Sequence, residues 1–95
     1  MMNDLPVLYE RLSWTEKRTV RLEYIKRQEG KCSHCLNPLD GPASREVNRR
    51  RINKKLFPKN FFQYPVHLHH SHKTGMTIGA VHCKCNAYMW QYEGE

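Results

Sequence analysis

The spacing of hydrophobic positions predicts a short series of helices and strands, of which the first helix is the clearest. Ser13-Trp-Thr-Glu16 is a capping-box sequence, in which the side chains of Ser13 and Glu16 each accept a hydrogen bond from the other residue's backbone N–H. Apolar side chains then recur among basic ones as far as Gly30, which favours the left-handed end of a helix. The pattern predicts a helix over residues 14–29.

The middle of the chain lacks a regular pattern at first and then becomes basic. Residues 31–42 are rich in turn formers, and Pro38, Gly41 and Pro42 oppose regular structure. A second helix is predicted from a Ser44 cap to Phe57, because the following Pro58 cannot continue a helix.

The last third of the chain predicts a hairpin followed by a helix. Residues 66–70 and 77–81 are rich in strand-forming side chains, and Lys73-Thr-Gly-Met76 between them is typical of a turn. A terminal helix is predicted over 84–93. Without a repeat or a dividing linker, residues 1–95 are expected to form one α+β domain. Its parts are the N-terminal helix (1–30), a cysteine loop with the basic helix (31–65), and the hairpin with the last helix (66–95).

Composition suggests that this domain needs support beyond its core. A chain of 95 residues buries only about 60% of its unfolded surface, so its hydrophobic core leaves it marginally stable. The sequence contains four cysteines and six histidines, and it shows neither a signal-peptide pattern nor an apolar run that could span a bilayer. We therefore expect a cytoplasmic protein with no membrane association, whose thiols hold a structural zinc ion rather than disulfides.

The cysteine spacing indicates which residues would hold this zinc. Cys32-x-x-Cys35 allows two thiolates to occupy two corners of a tetrahedron. The alternative, a redox pair, requires a helix starting at the first cysteine, whereas the chain turns away at Pro38. Because His82-x-x-Cys85 has the same knuckle spacing, the best set is Cys32, Cys35, His82 and Cys85, with Cys83 as the alternative to His82.

The charge distribution favours a polyanionic partner. The chain carries a formal charge of +7, and the segment from Arg45 to Lys59 alone has seven basic residues against one acid, Glu46. A solvated helical face is the ordinary explanation for such a run, but the aromatic and histidine-rich sequence beyond it favours phosphate contact. A membrane-surface helix fits less well, because its apolar stripe would be thin. The candidate nucleic-acid contacts are Arg45, Arg49, Arg50, Arg51, Lys54, Lys55, His72 and Lys73.

A histidine cluster supplies the candidate chemistry. Five histidines fall within sixteen residues, at positions 67, 69, 70, 72 and 82, which packing alone does not explain. Imidazole titrates near neutrality, so it can act as a general base or bind borderline metals. Strict strand alternation would send His69 and His70 to opposite faces, so the strand must twist or end there if both are to reach one phosphate.

The segment Leu-His-His-x-His, a Gly-containing turn and Gly-Ala-Val-His-x-x-Cys-Asn resembles the ββα-metal (His-Me finger) core of HNH endonucleases. The likeness is greatest to small phage-encoded HNH and recombination endonucleases that combine this core with a zinc knuckle. It covers the chain from Cys32 onward and leaves the first helix unexplained. The resemblance implies that His70 is the general base and that His69 and Asn86 hold a catalytic divalent metal.

The metal expected from this resemblance depends on His69, which stands where most such enzymes have Asp. A nitrogen donor shifts preference from Mg²⁺ toward Mn²⁺ or other transition metals. The implied activity is metal-dependent cleavage of double-stranded or branched DNA in a host cytoplasm. One site per chain makes a nick the elementary event, so cutting both strands would require two chains, as in a homodimer.

Two other functions compete with a nuclease. A non-catalytic zinc-binding nucleic-acid adaptor would bind DNA or RNA without cutting it. An inhibitor of a host enzyme would instead bind a protein tightly. Supercoiled plasmid offered with Mg²⁺ or Mn²⁺ separates the three, because an adaptor only retards its migration.

Overall fold

The capping box begins the first long element, helix α1, which spans Trp14–Arg27 in the computed structural model, where residues 5–94 are described. The Glu16 N–H donates to Ser13 Oγ, and the Ser13 N–H donates to the Glu16 carboxylate at 2.8 Å. Beyond α1, Glu29 and Gly30 both adopt left-handed φ angles, of 56° and 76°. The predicted helix over 14–29 is confirmed, with its end two residues earlier.

The basic helix predicted from residue 44 to Phe57 is wrong in length. The Ser44 cap does start a helix, α2, but α2 covers only Arg45–Arg49, and Lys54–Leu56 form a separate 3-10 turn. The chain leaves the helix at Arg50, whose ψ of 137° is extended.

Long-range contacts explain why α2 stops early. The Arg50 guanidinium lies 4.9 Å from the centre of the Tyr92 ring. The backbone carbonyl of Arg51 accepts hydrogen bonds from the Tyr92 hydroxyl and from Gln91 Nε2. These contacts hold the segment against the last helix in an extended form, and they outweigh the local preference for a longer helix.

The hairpin and the last helix follow the predicted order. Strand β1, Val66–His70, pairs in antiparallel fashion with strand β2, Thr77–His82, and helix α3 follows at Cys83–Tyr92. The last helix therefore begins and ends one residue earlier than predicted. The register shifts between His69 and His70, which face Gly79 and Thr77 respectively, and this bulge locally increases the strand twist.

The core lies where α1, β2 and α3 meet the cysteine loop. Val20, Cys32, Val81 and Cys85 have no exposed surface in it. The segment before α1 adds to this packing, because Val7 exchanges backbone and side-chain hydrogen bonds with Thr77. The remaining buried apolar members are Tyr24, Leu39, Ala43, Val47, Ala80 and Met89.

A glutamine side chain ties α1 to the free edge of β2. Gln28 Oε1 accepts from the Ala80 N–H at 2.9 Å, and Gln28 Nε2 donates to the Ala80 carbonyl at 2.9 Å. The neighbouring Gly79 permits this approach, since a Cβ there would lie 2.8 Å from Gln28 Oε1 and 2.9 Å from Ser33 Oγ. The amide thus satisfies backbone groups that a third strand would otherwise bond.

Candidate metal centre and histidine cleft

The cysteine loop and the β2–α3 corner bring four metal-binding side chains together. The ligand atoms of Cys32, Cys35, His82 and Cys85 all lie within 4.8 Å of one another. His82 Nδ1 lies 3.4 Å from Cys35 Sγ and 3.6 Å from Cys85 Sγ. Zinc bonds of about 2.0–2.3 Å arranged tetrahedrally require ligand separations of roughly 3.3–3.8 Å, which these distances match. The cluster can therefore bind a metal ion such as zinc.

Hydrogen bonds prepare His82 for this role. Its Nε2–H donates to the Pro38 carbonyl at 2.9 Å, so Nδ1 is the ring nitrogen without a proton and faces the thiols. A backbone carbonyl on the far nitrogen is the usual way in which a metal-binding imidazole is oriented. Cys83 is not a member of the cluster, and burial raises the pKa of its thiol. The choice of His82 over Cys83 is thus supported by the geometry.

The first cysteine pair sits on a tight turn that exposes its sulfurs to the cluster. The Leu36 N–H donates to the Cys32 carbonyl, and Leu36 has a φ of 67°, a left-handed conformation that closes the turn. The bond with the Cys85 thiol lowers the pKa of Cys32 to about 4, and the same bond raises the pKa of Cys85. The cluster thereby holds negative charge that a bound cation would neutralise.

A second site lies in an open cleft of 660 Å³. Its floor includes His67, His69 and His70 of β1 and Asn86 of α3. His69 is buried, and His70 is half-buried. Consecutive residues of a regular strand point to opposite faces of the sheet. The bulge between His69 and His70 breaks this alternation by twisting the strand, and both residues line the same cleft.

Asn86 is fixed by His67, a residue to which the sequence had given no role. His67 Nε2–H donates to the Phe61 carbonyl at 2.8 Å, so His67 Nδ1 must accept, and it lies 3.0 Å from Asn86 Nδ2. Because an acceptor faces it, the Asn86 group beside His67 must be the Nδ2 donor and not the oxygen. Its Oδ1 is buried without a hydrogen-bond partner, which costs free energy unless a cation or donor binds there.

Stacked rings hold His70 in the cleft. The Tyr9 ring lies parallel to the His70 ring with centroids 3.8 Å apart, and His72 packs at 4.6 Å from His70. Burial lowers the pKa of His70, and the nearby His72, His69 and Lys17 lower it further. Within the described chain no hydrogen bond occupies its ring nitrogens, so neutral His70 can accept a proton.

None of the eight predicted nucleic-acid contacts lines the cleft. The side chains of Arg45, Arg49, Arg51 and Lys55 are exposed elsewhere, while Arg50 packs on the tyrosines of α3 and Lys54 lies over the Phe62 ring. Lys73 is exposed in the hairpin turn, and His72 packs against Trp90. The cations that do line the cleft are Lys17, Arg18 and Arg21 of α1.

Two sequence signals could have identified the missed residues. His67 is two positions before His69 in a strand, and such residues share a face. The α1 residues in the cleft are spaced three and four apart, which also places them on one face of a helix. Neither periodicity indicates what the shared face packs against, because that depends on the tertiary structure.

Comparison with models of protein families, with characterised proteins and with solved structures gave no match. Across residues 5–94, none of the helices is both long enough and apolar enough to traverse a membrane. The geometry of the two sites therefore carries the functional argument.

Proposed function

We propose that this protein is a metal-dependent DNA endonuclease of the ββα-metal type. The observation that carries the proposal is the convergence of two β1 histidines and the unpartnered Oδ1 of Asn86 in one cleft walled by cations. An orphaned buried acceptor and an imidazole in the lining of one cleft are suited to a divalent cation, and the surrounding positive charge is suited to a phosphodiester.

His70 is the proposed general base. Burial and neighbouring charges favour its neutral form, and the Tyr9 and His72 rings limit its motion. It would take a proton from a water molecule that attacks the phosphorus atom. The bond from phosphorus to the 3′ oxygen breaks, the 3′ oxygen acquires a proton from solvent, and the products carry 5′-phosphate and 3′-hydroxyl ends.

His69 and Asn86 are the proposed ligands of the catalytic metal. A divalent ion bound there would neutralise charge on the phosphate and on the departing oxygen. The nitrogen donor favours Mn²⁺ or another transition metal over Mg²⁺, whereas the Asn86 oxygen suits either. His67 engages the Asn86 amide nitrogen in a hydrogen bond, which leaves Oδ1 as the atom that would bind the metal.

The test is cleavage of supercoiled plasmid by the zinc-loaded protein, with Mg²⁺, Mn²⁺, Co²⁺ or Ni²⁺ added in turn. We expect open-circular product before linear product, because one site per chain makes a nick the first event. Religation of the nicked product by DNA ligase without prior phosphorylation would support the assigned ends. His70→Ala at the same zinc content serves as the control against a contaminating nuclease.

Plasmid that is only retarded, with every metal, would indicate an adaptor and overturn the proposal. Cleavage of equal rate by His70→Ala would overturn the assignment of the base.

A further inference from the structure

Helix α1 presents one continuous stripe to the histidine cleft. Trp14, Lys17, Arg18 and Arg21 are spaced as neighbours on a helix face, and all four line the cleft. Val20 and Tyr24, beside this stripe on the helix, are buried in the core. The stripe is therefore held by the fold in a fixed position relative to the β1 histidines, and it forms one wall of the cleft.

The positive charge of this wall is not neutralised by the helix itself. Of the two acids in α1, Glu16 is engaged by the Ser13 backbone, and Glu23 forms an ion pair with Arg27 at 3.0 Å. Within residues 5–94, Arg18 and Arg21 form neither an ion pair nor a hydrogen bond. A fold that gathers cations without acids beside an open cleft creates a site for an anion.

Exposed aromatic rings border the same cleft. Trp14 is 78% exposed and Tyr64, on the other side, is 56% exposed. The Lys17 ammonium lies 4.4 Å from the centre of the Tyr9 ring, which in turn stacks on His70. Cations with intervening exposed aromatic rings are typical of surfaces that bind a nucleic-acid strand, where phosphates meet the cations and sugars or bases meet the rings.

We infer that α1, rather than the basic segment from Arg45 to Lys59, is the element that holds the scissile strand. Arg18 and Arg21 bind backbone phosphates beside the β1 histidines, and Trp14 provides a ring surface at the cleft mouth. This inference rests on the proposed function for the identity of the ligand as nucleic acid, and it assigns a role to the helix that the family resemblance leaves unexplained.

The test compares two variants that remove equal charge. Arg18→Gln/Arg21→Gln removes the cations of the stripe, and Lys26→Gln/Lys31→Gln removes exposed cations in and just after the last turn of the same helix. Binding of each protein to a fluorescent 20-base-pair duplex is measured over a range of salt, without an added catalytic metal. The slope of log K against log salt reports the phosphate contacts, at about 0.9 per contact.

We expect the stripe variant to lose about 1.8 from this slope, since two contacts are removed, and the last-turn variant to lose less than half as much. At subsaturating DNA with Mn²⁺, the stripe variant should also nick more slowly, because less of it has DNA bound. Circular dichroism should show equal helix content and melting temperature, as glutamine suits an exposed helix site.

A second readout uses the tryptophans, since Trp14 and Trp90 both line the cleft. Duplex binding should quench their fluorescence in wild type, and Trp14→Phe should lose part of this quenching.

If wild type nicks plasmid but the two charge variants share one slope, the inference is overturned and the proposed function stands. If wild type binds the duplex through the stripe without cleaving, the inference stands and the proposed function fails. No duplex binding by wild type overturns the inference.

Discussion

The cluster of three cysteines and His82 and the histidine cleft share helix α3, where two adjacent residues belong to different sites. Cys85 belongs to the cluster and Asn86 to the cleft. In the cluster, His82 Nε2 donates to the Pro38 carbonyl, and His82 Nδ1 lies among the cysteine thiols. Asn86, which lines the cleft, has a buried Oδ1 without a hydrogen-bond partner.

This difference distinguishes a site suited to stabilising the fold from a site suited to binding a ligand. The cluster joins loop and helix residues from distant parts of the chain, so an ion bound there would stabilise the folded state relative to the unfolded chain. The cleft retains an unsatisfied oxygen and concentrated positive charge, both of which destabilise the protein until a ligand binds. Changes to the two sites should therefore have different consequences, and the comparison can be tested site by site.

The largest effect is expected from loss of a cluster ligand. His82→Ala should abolish tight zinc binding and lower the melting temperature strongly, because each kcal/mol of lost stability corresponds to about 4–8 °C in a domain of this size. Cys83→Ser should retain one zinc ion per chain and melt close to wild type. Metal analysis and thermal denaturation measure both. Zinc-free Cys83→Ser with zinc-replete His82→Ala would show that the knuckle uses Cys83 instead.

The next effect concerns His70, the proposed general base in the cleft. His70→Ala should reduce plasmid nicking by about 10²-fold or more, the usual contribution of a general base, while zinc content and DNA affinity stay near wild type. His69→Ala and Asn86→Ala should instead raise the metal concentration needed for half-maximal nicking. Loss of zinc from His70→Ala would contradict the claim that the cleft and the cluster have separate roles.

A smaller effect is expected from His67, which orients Asn86. His67→Leu removes the acceptor for Asn86 Nδ2 while keeping an apolar side chain in place, so about tenfold more catalytic metal should be needed. His34→Leu is the matched control, because His34 lies away from the cleft beside Tyr88 and Glu93. Metal titrations of nicking measure both. An equal shift in the two variants would show a general loss of stability rather than a positioning role.

The smallest expected effect is on the pH dependence of nicking. Because burial and the neighbouring charges lower the pKa of His70, its neutral form persists to more acidic pH than in a free imidazole. The rate should therefore stay level as pH falls from 8 and reach half its maximum only below about 6.5, where unperturbed histidine titrates. Repeating the profile at tenfold higher metal separates base titration from metal release. A midpoint above 6.5 would contradict the lowered pKa.

Features that depend on neighbouring residues were determined by the sequence itself. The capping box of α1 requires only Ser13 and Glu16, three positions apart, and the structure confirms it. The hairpin follows from strand-forming runs on either side of a turn, and the ligand set follows from two knuckle spacings. In the capping box and the hairpin the interacting groups are close in the chain, so the physics that favours them is local. Within each knuckle pair the two ligands are also close, whereas the meeting of the two pairs depends on the fold.

Features that depend on contacts between distant residues were decided by the tertiary structure. The basic segment has the composition of a helix, yet hydrogen bonds to Arg51 from α3 hold it extended beyond Arg49. The bulge in the hairpin brings His69 and His70 to one cleft, and the packing of Val20 turns Arg18 and Arg21 of α1 toward it. Periodicity establishes which residues share a face, but only the packed fold establishes what that face meets.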